Sequence, residues 1–224
     1  MQNPGASEAS RQLNWQVPAV LKAVANLLSY VFHPLFIPLY VTAFVLYVYP
    51  YYFSGFDSRA HFRILVTVFI NLCFFPALVV FLLWRLKFSK NIFLKTQRDR
   101  IIPYAASLIF YFWAWQVFKN QTDIPAIFVQ FIFGAFLSIC GAWMANIFVK
   151  ISMHTTALGG MAAFLLFLAF ADSGAMGAYL AIAIFIAGLV GTARLLVSDH
   201  TYFEIYTGYT VGILCQVAAA WLAN

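Results

Sequence analysis

Long runs of apolar residues are the feature that most constrains this chain. A helix rises 1.5 Å per residue, so about 20 consecutive apolar residues cross the ~30 Å hydrocarbon core of a bilayer. Seven stretches approach or exceed this length, at 31–52, 61–85, 102–118, 125–149, 155–171, 176–193 and 205–223. Since 64% of the 224 residues are hydrophobic and 9% are charged, too little polar surface remains to cover a soluble globule. The sequence therefore predicts an all-α, polytopic transmembrane helical bundle of about seven spans, with six possible.

The beginning of the chain differs from the rest, because it is polar and shows no periodicity. We expect a flexible polar tail at 1–16 and a single transmembrane domain at 17–224. The stretch 17–30 has two interpretations. It forms either a helix that lies in the membrane interface, with Lys22 and Asn26 on one face, or an extension of the first span.

Positive charge is concentrated in one loop of this chain. The net charge is +6, and the segment 85–100 has six basic residues against one acid. Taken alone, such a cluster indicates a cytoplasmic loop that touches anionic lipid head groups. With seven spans, this loop shares a membrane face with the amino-terminal tail and with the loops at 150–154 and 194–204. That face has ten of the thirteen Lys and Arg residues, so the positive-inside rule predicts that it is cytoplasmic.

Two histidines on this face stand in patterns that suit phosphate chemistry. His154 follows Ser152 by two residues at the start of a predicted helix, where unpaired backbone amides attract anions. His200 and Glu204 are four residues apart, so on a helix the carboxylate can hold one ring nitrogen while the other stays free. This arrangement orients a nucleophile or a base. Arg194 adds a planar guanidinium that fits phosphate oxygens.

The ordinary alternative for a histidine at a membrane edge is an interfacial residue that makes hydrogen bonds and has no chemical role. We assign His33 and His61 to that class. For His154 and His200 this alternative requires two spaced patterns to coincide on one membrane face. We therefore favour a functional role for these two.

Three motifs occur in order along the chain. They are Lys95…Arg98-Asp99-Arg100-Ile101-Ile102-Pro103, Ser152-Met153-His154 and Arg194-x5-His200-x3-Glu204. Together they resemble the signature motifs of the type 2 phosphatidic acid phosphatase superfamily, a group of membrane lipid phosphatases and related haloperoxidases. The resemblance covers about residues 95–220 and implies that this part has the helical core of the family.

The resemblance also implies a role for each motif residue. His200 attacks phosphorus to form a phosphohistidine, Glu204 orients it, and His154 protonates the leaving oxygen. The residues that hold the phosphate are Arg194, Lys95, Ser152 and either Arg98 or Arg100.

The chain departs from the family pattern at three points. No arginine directly precedes Pro103, which is why the first motif leaves two candidate arginines. Met153 stands where the family has glycine, so a side chain occupies a place where glycine lets phosphate approach. Glu204 replaces an aspartate, and its longer side chain requires a shifted helix to make the same contact.

These patterns predict an integral membrane enzyme that hydrolyses a lipid phosphate or lipid pyrophosphate, with the bilayer and its lipid substrate as partners and no nucleic acid. We expect no metal and no cofactor, because few acids are available on this face to hold magnesium. They are Glu8, Asp99, Asp199 and Glu204. The alternative is a non-catalytic transporter or lipid-phosphate binder that uses the same cluster of charged residues.

Location and orientation follow from the same features. We expect the protein in a bacterial cytoplasmic membrane. The charge count favours a cytoplasmic site, whereas the resemblance implies a site on the outer face, where relatives commonly act. The identity of the lipid and the oligomeric state are left open by the sequence.

Overall fold

The computed structural model describes residues 17–88, 97–171, 176–198 and 200–222, except for the side chain of Arg98. Within these ranges the backbone forms helices and turns and no strand. The α-helices are α1 (Ala19–Val31), α2 (Ile37–Ala43), α3 (Ser58–Val68), α4 (Phe75–Arg85), α5 (Ile101–Lys119), α6 (Ala126–Ala145), α7 (Met153–Ala171), α8 (Gly177–Val197) and α9 (Tyr202–Leu222). The π-helical and 3₁₀ turns between them are Phe44–Val48, Pro50–Phe53, Phe69–Phe74 and Arg98–Arg100.

Six helices of the described chain are long and apolar enough to cross a membrane. The first is the continuous helix Ser58–Arg85, which consists of α3, a π-helical turn and α4, and the others are α5 to α9. Each begins and ends within four residues of a predicted span. The prediction of an all-α helical bundle is therefore confirmed, and the described residues contain six helices long and apolar enough to span a membrane, which is the lower number that the sequence left possible.

The predicted span at 31–52 is the exception. Its apolar helix runs only from Ile37 to Val48. Pro34 precedes this helix and Pro50 follows it, and proline removes a backbone donor and clashes with the preceding turn of a helix. The first predicted span is therefore too short to cross the bilayer as one helix.

Helix α1 is separate from α2. Its last residue is Val31, after which the chain turns through 32–36 with a hydrogen bond from the Phe36 amide to the His33 carbonyl at 2.8 Å. It packs along α8, and Lys22 and Asn26 are both exposed on it. The stretch 17–30 therefore does not extend the first span.

The loops at one end of the bundle meet one another. The Gln97 side-chain amide donates to the Asn146 carbonyl at 2.8 Å, and the Asn146 side-chain amide donates to the Gln97 carbonyl at 3.2 Å. The Ser152 amide donates to the Glu204 carbonyl at 3.4 Å. We call this the site end, and it consists of 32–36, 97–101, 146–154, 194–198 and 200–204. The three loops that were expected to share a face are therefore in contact.

Aromatic rings close the opposite end of the bundle. The rings of Phe53 and Phe118 each pack edge-on against Phe128, with centroid separations of 5.5 and 5.2 Å. We call this the far end, and it consists of 49–58 and 118–126. The segment from Ile37 to Phe53 thus leads from the site end to the far end, although its helix is short.

Helices α7 and α9 lie unusually close, and glycine makes this possible. A Cβ atom on Gly212 would lie 2.0 Å from the carbonyl oxygen of Thr156, and one on Gly208 would lie 2.8 Å from that of Ser152. Small residues let helix backbones approach in this way in membrane bundles. The contact fixes the second and third turns of α9 against the start of α7, which holds His154.

Pro76 lies in the middle of the helix Ser58–Arg85 and deprives one backbone carbonyl of its usual donor, and a tyrosine hydroxyl from α5 takes the place of that donor. Pro76 lacks an amide proton, so the carbonyl of Leu72, four residues earlier, loses its usual helical donor. The Tyr111 hydroxyl donates to that carbonyl at 3.3 Å. This bond joins α5 to the π-helical turn at the inner end of the cavity described below.

Candidate functional site

The start of α9 forms a capping box around Glu204. The Glu204 amide donates to the Thr201 hydroxyl at 3.3 Å, and the Thr201 amide donates to Glu204 Oε2 at 3.0 Å. This reciprocal pair satisfies two backbone donors that every helix start leaves without a helical partner. The Glu204 carboxylate is therefore fixed in place by the helix start itself.

His200 bonds to the same carboxylate oxygen. Its Nδ1 lies 2.9 Å from Glu204 Oε2, and its side chain is only 4% exposed. Because a carboxylate accepts and does not donate, Nδ1 is protonated and Nε2 has a free lone pair in the neutral ring. The two residues are paired as predicted, but His200 precedes the helix, so the capping box and not a shared helix face brings them together.

Burial determines the charge state of His200. Burial lowers the pKa of His200 most strongly, and the positive charges of Arg100 and Arg194 lower it further. The hydrogen bond that His200 donates to Glu204, and the negative charge of that carboxylate, act in the opposite direction without reversing the shift. The pKa of His200 thus lies below its ordinary value of 6.5, and the ring is neutral at pH 7. A neutral imidazole with an unprotonated Nε2 is a competent nucleophile.

Two arginines lie beside this pair. Arg194, in the last turn of α8, has a buried Nε with no hydrogen-bond partner among the described residues. Arg100 ends the 3₁₀ turn before α5, and its Nη1 donates to the Ile151 carbonyl at 3.0 Å. Both line the cavity at the site end. Two guanidinium groups beside a neutral imidazole have the charge and geometry that suit a phosphate group.

His154 lies in the first turn of α7 and lines the same cavity. Its Nε2 donates to the Ser29 carbonyl of α1 at 3.0 Å. In the neutral ring this bond leaves Nδ1 as the unprotonated nitrogen. His154, His200 and both arginines are therefore brought together at one end of the bundle, as the sequence predicted for His154, His200 and Arg194.

His33 also lines this cavity, although its sequence context indicated an ordinary interfacial histidine. Its ring packs edge-on against that of His154, with centroids 5.4 Å apart. Burial, and then the charge of Arg194, lowers the pKa of His33 to about 4. The only sequence signal for this placement is Pro34, which turns the chain back toward α7 after α1 ends.

The cavity has a polar mouth and a mainly apolar interior, with a few polar residues such as Ser138 and Gln216 in its wall. Its volume is about 250 Å³. The polar mouth is formed by His33, Arg100, His154, Arg194 and His200, and the interior is lined mainly by Val80, Tyr111, Phe131, Ala135, Ile139 and Met161. From Pro103, the first wall residue of α5, to Tyr111 the helix rises roughly 12 Å. The cavity therefore runs from the two arginines into the middle of the bundle.

Three other residues were predicted to bind phosphate, namely Ser152, Lys95 and Arg98. Ser152 is fully buried and is not part of the cavity wall, and its carbonyl accepts from the Thr156 amide at 3.0 Å as α7 begins. Lys95 and the side chain of Arg98 lie outside the described residues. Of the two arginines that the first motif left open, Arg100 reaches the cavity.

Met153 is the residue that replaces glycine in the second motif, and it lines the cavity. The Tyr104 hydroxyl donates to its sulfur at 2.8 Å. Its side chain therefore narrows the mouth beside the two arginines.

Comparisons of the chain with protein-family models, with curated proteins and with solved structures found no match.

Proposed function

We propose that this chain is an integral membrane phosphatase that hydrolyses a lipid phosphate or lipid pyrophosphate through a phosphohistidine intermediate. One observation carries the proposal: His200 Nδ1 lies 2.9 Å from Glu204 Oε2 in the wall of a cavity that also holds Arg100, Arg194 and His154. This combination of an oriented neutral imidazole and two cations is what phosphoryl transfer to a histidine requires. The three motifs that resemble the type 2 phosphatidic acid phosphatases contribute these same residues.

In the first step, the lone pair of His200 Nε2 forms a bond to phosphorus as the bond from phosphorus to the leaving oxygen breaks. The arginines neutralise the charge on the remaining phosphate oxygens. The leaving oxygen takes a proton from His154, which enters this step as an imidazolium with a proton on each ring nitrogen. Since the Ser29 carbonyl holds Nε2–H of His154, Nδ1 is the nitrogen that gives up this proton. Glu204 stabilises the positive charge that develops on His200.

In the second step, water attacks phosphorus and the bond from phosphorus to His200 Nε2 breaks. The water loses a proton to Nδ1 of His154, which returns that ring to its starting state. Inorganic phosphate leaves, and His200 regains its neutral form. Atoms and protons balance over the cycle, and the net reaction is hydrolysis of one phosphate ester or anhydride bond.

The cavity favours a lipid as substrate. Its polar mouth lies at the end of the bundle, where lipid head groups are found, and its mainly apolar interior extends over roughly 12 Å of the ~30 Å hydrocarbon core. A phosphate at the arginines therefore allows an attached hydrocarbon chain to lie in the interior.

A second candidate function is a non-catalytic lipid-phosphate binder or transporter. Two observations on the second motif favour it. His154 Nε2 is bonded to the Ser29 carbonyl, and Ser152 is buried outside the cavity wall. A binder needs the arginines and the cavity but no free proton donor.

Release of inorganic phosphate separates the two functions. The detergent-solubilised protein is incubated with a panel of lipid phosphates and pyrophosphates in the presence of a metal chelator. The phosphatase requires release from at least one substrate, whereas a binder binds the lipid and releases none. Absence of release from every substrate that binds would overturn the phosphatase proposal.

We further propose that the site end faces the cytoplasm of a bacterial cell, because positive charge is concentrated there. Lys87 lies at the start of the loop that leads from α4 to the site end, and Gln121 lies at the far end. Both are exposed, so cysteine at each position is open to a membrane-impermeant thiol reagent. In intact cells, Gln121→Cys is expected to react and Lys87→Cys is expected to stay unlabelled. The reverse pattern contradicts this orientation.

A further inference from the structure

A third histidine stands at the mouth of the cavity, and the proposed mechanism gives it no role. His33 lies in the turn between α1 and α2, and it lines the cavity together with Arg194 and His154. Its ring centroid is 5.4 Å from that of His154, with the planes at 79°. A histidine in contact with a proposed catalytic histidine and beside a phosphate-binding arginine is within reach of the substrate head group.

The backbone around His33 determines which of its nitrogens is a donor. The Leu35 amide donates to His33 Nδ1 at 3.3 Å. Since an accepting nitrogen carries no proton, the neutral ring has its proton on Nε2. Burial and the nearby Arg194 disfavour the charged form, with the pKa of His33 lowered to about 4. At pH 7 His33 is therefore a neutral imidazole. Its Nε2–H is a donor, and its Nδ1 already accepts from the Leu35 amide.

We propose that His33 is a substrate-binding residue of this site, whose Nε2–H donates a hydrogen bond to a phosphate oxygen held by Arg194. This inference rests on the proposed function in its choice of a phosphate ligand. A neutral donor adds a directed contact without a third positive charge beside the two arginines. Hydrogen bonds to charged groups are among the stronger ones, so loss of this contact weakens phosphate binding by about tenfold or more.

The same contacts allow an alternative in which His33 only holds the turn before α2. Two substitutions separate these roles. In His33→Asn the side-chain oxygen lies where Nδ1 was and still accepts from the Leu35 amide, but nothing reaches the position of Nε2. In His33→Gln the side-chain amide reaches the position of Nε2 and keeps a neutral donor there.

The experiment measures the dissociation constant of inorganic phosphate for the purified protein in detergent by calorimetry. We expect His33→Ala and His33→Asn to weaken binding by about tenfold or more, and His33→Gln to stay within a few-fold of the unsubstituted protein. His61→Ala is the matched control, because His61 lies near the far end and donates to the Phe53 carbonyl. Thermal unfolding of each variant in the same detergent shows that it is folded.

The other outcomes overturn the inference. If His33→Asn binds phosphate normally and His33→Gln does not, His33 acts through the turn. If all three variants bind normally, or all three lose binding equally, a neutral donor at Nε2 has no part in recognition. Failure of the unsubstituted protein to bind phosphate also overturns it.

This result is independent of turnover. If phosphate binds with the expected pattern but no lipid phosphate is hydrolysed, the phosphatase proposal fails while the role of His33 stands. If hydrolysis occurs and the pattern is absent, the role of His33 fails while the phosphatase proposal stands.

Discussion

The two ends of the bundle contain the same kinds of polar residue and use them differently. Near the far end, His61 donates to the Phe53 carbonyl at 3.4 Å and packs against aromatic rings. At the site end, His200 bonds to a carboxylate, and two arginines lie close enough for their charges to affect its pKa. A histidine at the end of a membrane helix is therefore not by itself a sign of chemistry.

The acidic residues show the same contrast. Asp57 caps α3 by accepting from the Ala60 amide at 2.8 Å. In α9 the equivalent contact is made by Thr201, while Glu204 accepts from the Thr201 amide in return and also accepts from His200. One carboxylate has a structural role, and the other combines that role with the orientation of an imidazole. Four substitutions test whether this difference between the ends is a difference in function.

The largest effect is expected from His200→Ala. Removing the proposed nucleophile leaves only binding and charge stabilisation, so phosphate release falls by about 10⁴-fold or more. His61→Ala near the far end is expected to keep normal turnover. Release of phosphate in the presence of a chelator is the measurement, and substantial turnover by His200→Ala would exclude the phosphohistidine mechanism.

The second effect concerns the charge of Glu204. Glu204→Gln keeps an acceptor for the capping box, because glutamine also serves at that position. It removes the negative charge that stabilises the His200 imidazolium, and we expect turnover to fall by about 10²- to 10⁴-fold with little loss of thermal stability. If the fall in turnover is accompanied by a large loss of thermal stability, Glu204 acts only as a helix cap.

A smaller effect is expected from Arg194→Lys. An ammonium group cannot reproduce the two parallel hydrogen bonds of a guanidinium to phosphate, so kcat/KM is expected to fall by about 10- to 100-fold. The control is Arg63→Lys, since Arg63 lies on α3 and is exposed. Steady-state kinetics is the measurement. If kcat/KM falls equally in both variants, Arg194 contributes no more to phosphate binding than Arg63 does.

The smallest effect is expected from removing one helix cap at each end. Thr201→Ala and Asp57→Ala each lose a side-chain cap, which costs about 1 kcal/mol of stability. Turnover is expected to fall a few-fold only in Thr201→Ala, because Thr201 helps to hold the start of α9 that carries Glu204. Thermal unfolding and phosphate release on the same samples compare the two, and a matching loss of turnover in Asp57→Ala would contradict the separation of the ends.

The sequence by itself determined the class of the fold and the grouping of the motifs. Length and apolarity are local properties, so six spanning helices could be located within a few residues by counting. The direction of successive helices then brought His154, Arg194 and His200 to one end. The spacing of His200 and Glu204 also predicted that they pair, although the capping box with Thr201 and not a shared helix face brings them together.

Only the tertiary structure decided which neighbouring residues enter the cavity. His33 does so because α1 ends and the chain turns back toward α7, and Arg100 does so because its loop is bonded to 146–151. Ser152 does not, because α9 packs closely against the start of α7 at Gly208. These outcomes depend on turns and on the close approach of helices that are distant in sequence, whereas the apolar pattern only specifies which residues avoid water.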